Sequence, residues 1–329
     1  MTTHSDMTDP PHAVQPESGG AGEANSTPNR PARSALRNRL FFGTLMMAGL
    51  LGLLWLDQAI ETWTAGHVRQ GGKTYGVGGV GILALLIILL PPAMTELATL
   101  FAAERVKPDL IITAIGAGGL VVHAFLTQFA IFRPIAASSL VFIIVFTMLL
   151  AALRRALQRQ SQEAIGQMAG TVLAALYLGG LGWFLLALRV KRSGHFTGHA
   201  LTILMILLMV KSTDIFAYFG GRAFGKHKLI PWLSPGKTWE GLACGLLAAG
   251  AVGIAFTPQI SQLTWYKALI FGILIGAVGQ LGDLFESMMK RDAEVKDSGR
   301  LIPGFGGILD VIDSPLLAAP FAYLLFSLF

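Results

Sequence analysis

A succession of apolar runs, each long enough to cross a bilayer as a helix, is what most limits the folds open to this chain. About 20 apolar residues span the hydrocarbon. By that rule about nine spans are expected, near residues 40–58, 76–92, 109–130, 136–153, 168–188, 198–219, 239–257, 267–283 and 308–329. Composition agrees, since 13% of the residues are charged and 53% hydrophobic, against roughly 25% charged in a soluble domain. The expected fold class is all-α, a polytopic integral membrane protein. Residues 93–107 read as an interfacial helix ending in Arg105 and Lys107.

Three segments follow from this pattern. Residues 1–38 are rich in Ser, Thr, Pro, Gly and Ala and cannot bury enough surface to offset ordering, so a disordered cytoplasmic tail is expected. Residues 39–195 hold a first set of spans, and residues 196–329 a second set with most of the polar clusters. Arg30, Arg33, Arg37 and Arg39 before the first span place that end inside. The loops around Arg154, Arg222–Lys237 and Lys290–Arg300 then fall inside as well, but the loop with Arg189, Lys191 and Arg192 falls outside, against the rule. The net charge of +6 is scattered among loops, which excludes a nucleic-acid surface. The single Cys244 excludes a disulfide framework and a thiolate metal cluster. No repeat relates the two halves, which counts against an inverted-repeat transporter.

Two polar clusters interrupt the second set. The first runs from Lys211 and Asp214 through Tyr218, Gly220, Gly221 and Arg222 to Ser234-Pro235-Gly236-Lys237-Thr238-Trp239-Glu240-Gly241. Two fragments imitate a phosphate-binding P-loop and fail. His227 stands where Ser or Thr must bind magnesium, Pro231 takes the place of the first glycine, and neither fragment follows a buried strand. Ser234-Pro235 reads as a helix start instead, with Ser234 the N-cap. Lys237 and Thr238 would lie in a first turn, whose free N–H groups attract phosphate; a plain capped helix with a snorkelling lysine explains the pattern equally well. Asp214 lies one turn after Lys211, so a simple intrahelical pair competes with any role in a site.

The second cluster is denser. Asp283, Glu286, Ser287, Lys290 and Glu294 stand at offsets of 0, 3, 4, 7 and 11, one face of a helix. A loop with Lys296, Asp297 and Arg300 follows, then Pro303-Gly304-Phe305-Gly306-Gly307, and the chain re-enters the membrane with Asp310 and Asp313. Charge at membrane depth is costly and usually functional. Acids from two segments, Asp283 and Asp310, are raw material for a divalent-metal site if the last two spans are neighbours. Oxygen donors, few histidines and no suitable cysteine favour magnesium over zinc. The bland alternative is that these acids cap helix ends; Asp313-Ser314-Pro315 has that look, but a helix starting there would be too short to span. A longer last helix from near Gly307, kinked near Pro315, is expected.

Ser287, Lys290-Arg291, Lys296-Asp297 and Pro303-Gly304-Phe305-Gly306-Gly307-Ile308-Leu309-Asp310-Val311-Ile312-Asp313 together resemble the phosphatidate cytidylyltransferase, or CDP-diacylglycerol synthase, family. The resemblance covers roughly residues 205–315 and includes Asp214 to Arg222 and Ser234 to Gly241. Phe305 stands where the family usually has histidine, Val311 where it has arginine, and Gly236 where a lysine is common. The resemblance implies transfer of a cytidylyl group from CTP to phosphatidic acid, a membrane lipid, with Mg2+. The catalytic residues it implies are Asp283, Lys290, Arg291, Lys296, Asp297, Asp310 and Asp313, with Asp283 and Asp310 on the metal. Asp214, Tyr218, Arg222, Ser234, Lys237, Thr238, Glu240 and Ser287 would bind substrate. It also implies the bacterial cytoplasmic membrane, a site facing the cytoplasm, no nucleic acid, and room for a homodimer. A CTP-dependent polyprenol-type lipid kinase is the nearest alternative, and an ion-coupled transporter a more distant one.

Overall fold

The structure, a computed structural model, describes residues 30–70, 72–159, 161–193, 196–197, 199–258 and 264–328. Its helices are α1 (Arg30–Trp63), α2 (Val80–Ala103), α3 (Leu110–Leu126), α4 (Ala136–Leu157), α5 (Ala164–Ala175), α6 (Leu181–Val190), α7 (Ala200–Phe224), α8 (Trp239–Ala255), α9 (Trp265–Asp292) and α10 (Leu309–Leu328). A π-helical turn, Leu176–Gly180, joins α5 to α6, so Ala164–Val190 is one continuous rod. Among the described residues, seven rods are long and apolar enough to cross a membrane, and α3 and α8 are shorter apolar helices. At 17 residues each, they reach about 25 Å. The chain is all-α and polytopic, as its hydropathy predicts.

Two boundaries differ from expectation. The expected tail mostly lies outside the described residues, and where it enters them, at 30–38, the chain is already helical. Residues 93–107 form no separate interfacial helix, because α2 runs through Pro91 and Pro92 to Ala103. The buried residues Leu90, Ala93, Met94, Leu97 and Leu100 continue one helical face across the prolines, and their packing outweighs the missing donors. α10 matches the longer helix expected, with Asp310 in its first turn.

Irregular backbone is confined to the ends. Short antiparallel hairpins close three loops: β1 (Val68–Gln70) with β2 (Lys73–Tyr75), β3 (Arg192–Ser193) with β4 (Phe196–Thr197), and β5 (Lys228–Ile230) with β6 (Ser234–Thr238). Between helices the driving force is packing rather than water exclusion, so small residues admit close approach. Gly245 of α8 lies against the Thr213 carbonyl of α7, and Gly272 of α9 against the Ala249 carbonyl of α8; a Cβ at either would overlap that backbone. The larger apolar core draws on both halves, with Ile82, Val121, Leu186 and Leu188 meeting Ile206, Met209, Phe271, Ile275 and Ala322.

At the end of the bundle where α1 and α6 finish, charge is buried outright. Arg189 and Asp57 are each 0% exposed. The guanidinium donates to Asp57 Oδ2 at 2.5 Å and Glu61 Oε2 at 2.7 Å, while Asp57 also accepts the Gly79 and Gly81 amides. Lys191 lies over the Tyr323 ring and donates to Ser327 Oγ. Arg189 and Lys191 are thus committed to partners rather than being free loop charge.

Candidate active site

Where β6 feeds α8, the chain places Lys237 between two helices. Its Nζ donates to Asp283 Oδ2 (2.6 Å) and Gln280 Oε1 (2.9 Å), both on α9. Gln280 passes the connection on, donating from Nε2 to Asp214 Oδ1 on α7 at 2.6 Å. Lys211 lies 3.9 Å from the other Asp214 oxygen and 3.4 Å from the Val311 carbonyl of α10. The intrahelical Lys211–Asp214 pair expected from the sequence exists, but as one end of a polar chain linking α7, α9 and α10 with strand β6.

Two turns further along α9, Lys290 gathers a second group. It donates to Asp310 Oδ1 at 2.8 Å and lies 3.5 Å from Glu286 Oε2. Asp310 also accepts the Ser298 amide and hydroxyl and the Gly307 amide. That wrapping needs Gly306 at φ +104°, where a Cβ would be strained and would overlap the Asp310 carboxylate. Glu286 is 1% exposed and its Oε1 has no donor; the carboxyls of Asp313 and Asp310 are its near neighbours. Across the two groups, Asp214, Asp283, Glu286, Asp310 and Asp313 face Lys211, Lys237 and Lys290. Acidic side chains outnumber the lysines there, five to three.

Of the residues singled out in the sequence, Asp214, Lys237 and Asp283 fall in the first group and Lys290 and Asp310 in the second, with Asp313 beside Glu286. Thr238 and Glu240 act on the backbone beside them. Thr238 caps α8 by accepting the Gly241 amide, and Glu240 accepts the Lys226 and His227 amides and pairs with His227 Nδ1 at 2.6 Å. Ser287 is half-buried on α9, whereas Arg222 and Arg291, in the last turns of α7 and α9, and Lys296 and Asp297, in the loop after α9, are exposed. Tyr218 is exposed too, edge-on to Phe219.

Two local expectations are corrected. Ser234 is not a helix N-cap, because Ser234–Thr238 pairs as a strand with Lys228–Ile230 and the helix begins at Trp239. Extended pairing of that segment defers the cap by four positions, from one hydroxyl to another. Glu294 leaves the α9 face, since the helix ends at Asp292 and Glu294 is exposed at φ +56°.

Sequence reasoning missed Glu96 of α2, whose carboxylate accepts Ser298 Oγ and the Ile308 and Leu309 amides. An acid within an otherwise apolar stretch was the available signal. Gln280 looked like an ordinary span residue, and Tyr177, on the π-turn within electrostatic reach of Asp313 and Glu286, gave no local sign.

Asp283 and Asp310 are each engaged by a lysine, Asp283 by Lys237 and Asp310 by Lys290. Among the described residues no three His, Cys, Asp or Glu side chains converge as a metal cage. The candidate donors are all oxygen, and Glu286 Oε1 is a buried carboxyl oxygen that receives no hydrogen bond.

Comparison with known proteins gives this geometry a context. The model of the cytidylyltransferase family matches residues 74–329. A phosphatidate cytidylyltransferase of Haemophilus influenzae is 43% identical over 142 residues, 41% of this chain and 49% of that protein. One of Bacillus subtilis is 41% identical over 160 residues, 48% of this chain and 57% of that protein. An uncharacterised Escherichia coli protein, YnbB, is 38% identical over 151 residues, 46% of this chain and 49% of that protein. The chain spans about half the length of the curated relatives it matches. The family model, by contrast, takes in the polar chain, the loop after α9 and Glu96 together, and on that match the chain belongs to the cytidylyltransferase family.

Proposed function

We propose that this protein is a phosphatidate cytidylyltransferase, converting CTP and phosphatidic acid to CDP-diacylglycerol and pyrophosphate. The observation that carries the reading is the meeting of Lys237 with Asp283 and of Lys290 with Asp310 at one end of the α7–α10 bundle, in a chain of this family. A phosphate oxygen of the lipid attacks the α-phosphorus of CTP, the bond to the β-phosphate bridging oxygen breaks, and pyrophosphate leaves with that electron pair. The nucleophile is already anionic near neutral pH, since a phosphate monoester has its second pKa at about 6. No strong base is needed, so Phe305 in place of a histidine is no obstacle.

Catalysis on this reading is positioning and charge neutralisation. Lys237 and Lys290, now held by carboxylates, are the cations that phosphate oxygens would engage; Arg291, Lys296 and Arg222 line the exposed approach. Asp283 and Asp310 are the residues that would hold magnesium, which would neutralise charge on the triphosphate. Asp297 and Ser287 flank that position. We place the site on the cytoplasmic side of a bacterial inner membrane, with CTP arriving from water and the lipid entering sideways between helices.

The test is purified protein with labelled CTP, magnesium and phosphatidic acid. Cytidine label passing into the lipid phase with stoichiometric pyrophosphate is expected, and omission of magnesium should abolish it. Phosphate transfer to a polyprenol alcohol, with no pyrophosphate released from phosphatidate, would sink the proposal.

A further inference from the structure

The loop that carries the end of the site is held from the other half of the chain. Glu96 belongs to α2 and is buried. Its Oε1 accepts the Ile308 amide at 3.0 Å, and its Oε2 accepts the Leu309 amide at 2.8 Å and the Ser298 hydroxyl at 3.3 Å. The two amides stand at the start of α10, where free N–H groups and the helix dipole both favour an anion. Ser298 faces two ways, since its amide and hydroxyl also reach Asp310 at 3.1 and 3.0 Å.

The fit is tight from both sides of the loop. A Cβ on Gly299 or on Gly307 would overlap the Glu96 carboxylate, so the chain wraps around it at positions that admit no side chain. Phe305, between them, lies over Gly43 of α1; a Cβ there would meet the ring at 3.2 Å. Thus α1 and α2 form the surface against which residues 298–309 take their shape. Asp310, and through it Lys290, inherits its place from that shape.

We propose that Glu96 is a positioning residue for the reaction, the peg that fixes segment 298–309 so that Asp310 and Lys290 meet in register. What the loop is positioned for rests on the cytidylyltransferase reading, but how it is held does not. A displacement of about 1 Å at a reacting group can cost about 100-fold in rate.

Full-length protein in nanodiscs, as wild type, Glu96→Gln and Glu96→Asp, supplies the test. Gln preserves shape but points an amide donor at backbone donors. Its kcat per folded molecule should fall about 100-fold, with amide exchange rising across 298–309 and unchanged in α7 and α8. Glu96→Asp, which keeps the charge with shorter reach, should recover part of kcat. Unchanged exchange, or faster exchange at an unchanged kcat, overturns the proposal, the latter because the contact would then be merely structural. Should Glu96→Gln fail to fold, Ser298→Ala removes one donor and should show the same paired changes at smaller size; wild-type values in both would equally overturn it. An inactive wild type defeats the proposed function instead, and exchange in 298–309 still decides whether Glu96 holds the loop.

Discussion

Two charged clusters lie at opposite ends of this bundle, and they are built to different rules. The Arg189 cluster is closed: guanidinium and Asp57 are wholly buried, and Asp57 is further satisfied by two glycine amides. The cluster around Lys237 and Lys290 is open, with the Lys237 side chain 18% and that of Asp283 38% exposed. Within it one carboxylate oxygen, on Glu286, has no donor. A saturated cluster fixes helices relative to each other and has nothing left to offer a ligand. An acid-rich cluster with a route to solvent can exchange its internal ion pairs for external ones. Chemistry is expected only at the second.

The sharpest way to break this contrast is to remove one charge from the closed cluster. Arg189→Met leaves Asp57 and Glu61 without their cation, and loss of one partner from a buried pair costs about 3–5 kcal/mol. Little folded protein should survive extraction, measured as the monodisperse fraction on size exclusion after heating. Any molecules that do fold should turn over near the wild-type rate. A stable but inactive Arg189→Met would mean that the closed cluster also serves catalysis.

The open cluster should respond the other way round. The Lys237–Asp283 pair is partly solvated, so its contribution to stability is at most about 1 kcal/mol. Asp283→Asn should therefore keep its thermal midpoint near wild type while turnover drops about 10²–10³-fold, the size expected when a group that organises transition-state charge is lost. Asp310→Asn should lose a similar factor, with a somewhat lower midpoint because Asp310 also ties Ser298 and Gly307. Near-normal turnover in either variant would remove that residue from the site.

How much of this was legible beforehand differs between the same two regions. The open cluster could be read because its residues follow one another in short order: Asp283, Glu286 and Lys290 on one helix face, then Asp310 and Asp313 across a glycine-rich loop. The closed cluster could not. Asp57 and Arg189 meet across 132 positions, and nothing local announces that pairing, so Arg189 looked like loop charge. Glu96 was hidden similarly, and Pro91-Pro92 further disguised its helix as a break followed by an interfacial segment. Helix existence followed from hydropathy, which is a local property. Helix ends did not, because at Thr238 the start was decided by a hairpin pairing Ser234 with Ile230.

That last boundary yields the smallest effect and the cleanest comparison, because two hydroxyls four residues apart compete for one role. Thr238 is buried and its Oγ1 accepts the Gly241 amide at 3.1 Å. Replacing an N-cap threonine by alanine costs about 1 kcal/mol. Ser234 is half-buried in a strand that tolerates alanine, so Ser234→Ala should stay within about 0.5 kcal/mol of wild type. The cap also sets where Lys237 leaves β6 to reach Asp283. Thr238→Ala should therefore lower turnover along with its midpoint in a heat-challenge assay, while Ser234→Ala changes neither by much. The opposite ranking would restore Ser234 as the start of α8 and move the polar chain's entry point with it. Equal, negligible effects would show that the hairpin alone holds Lys237 in place.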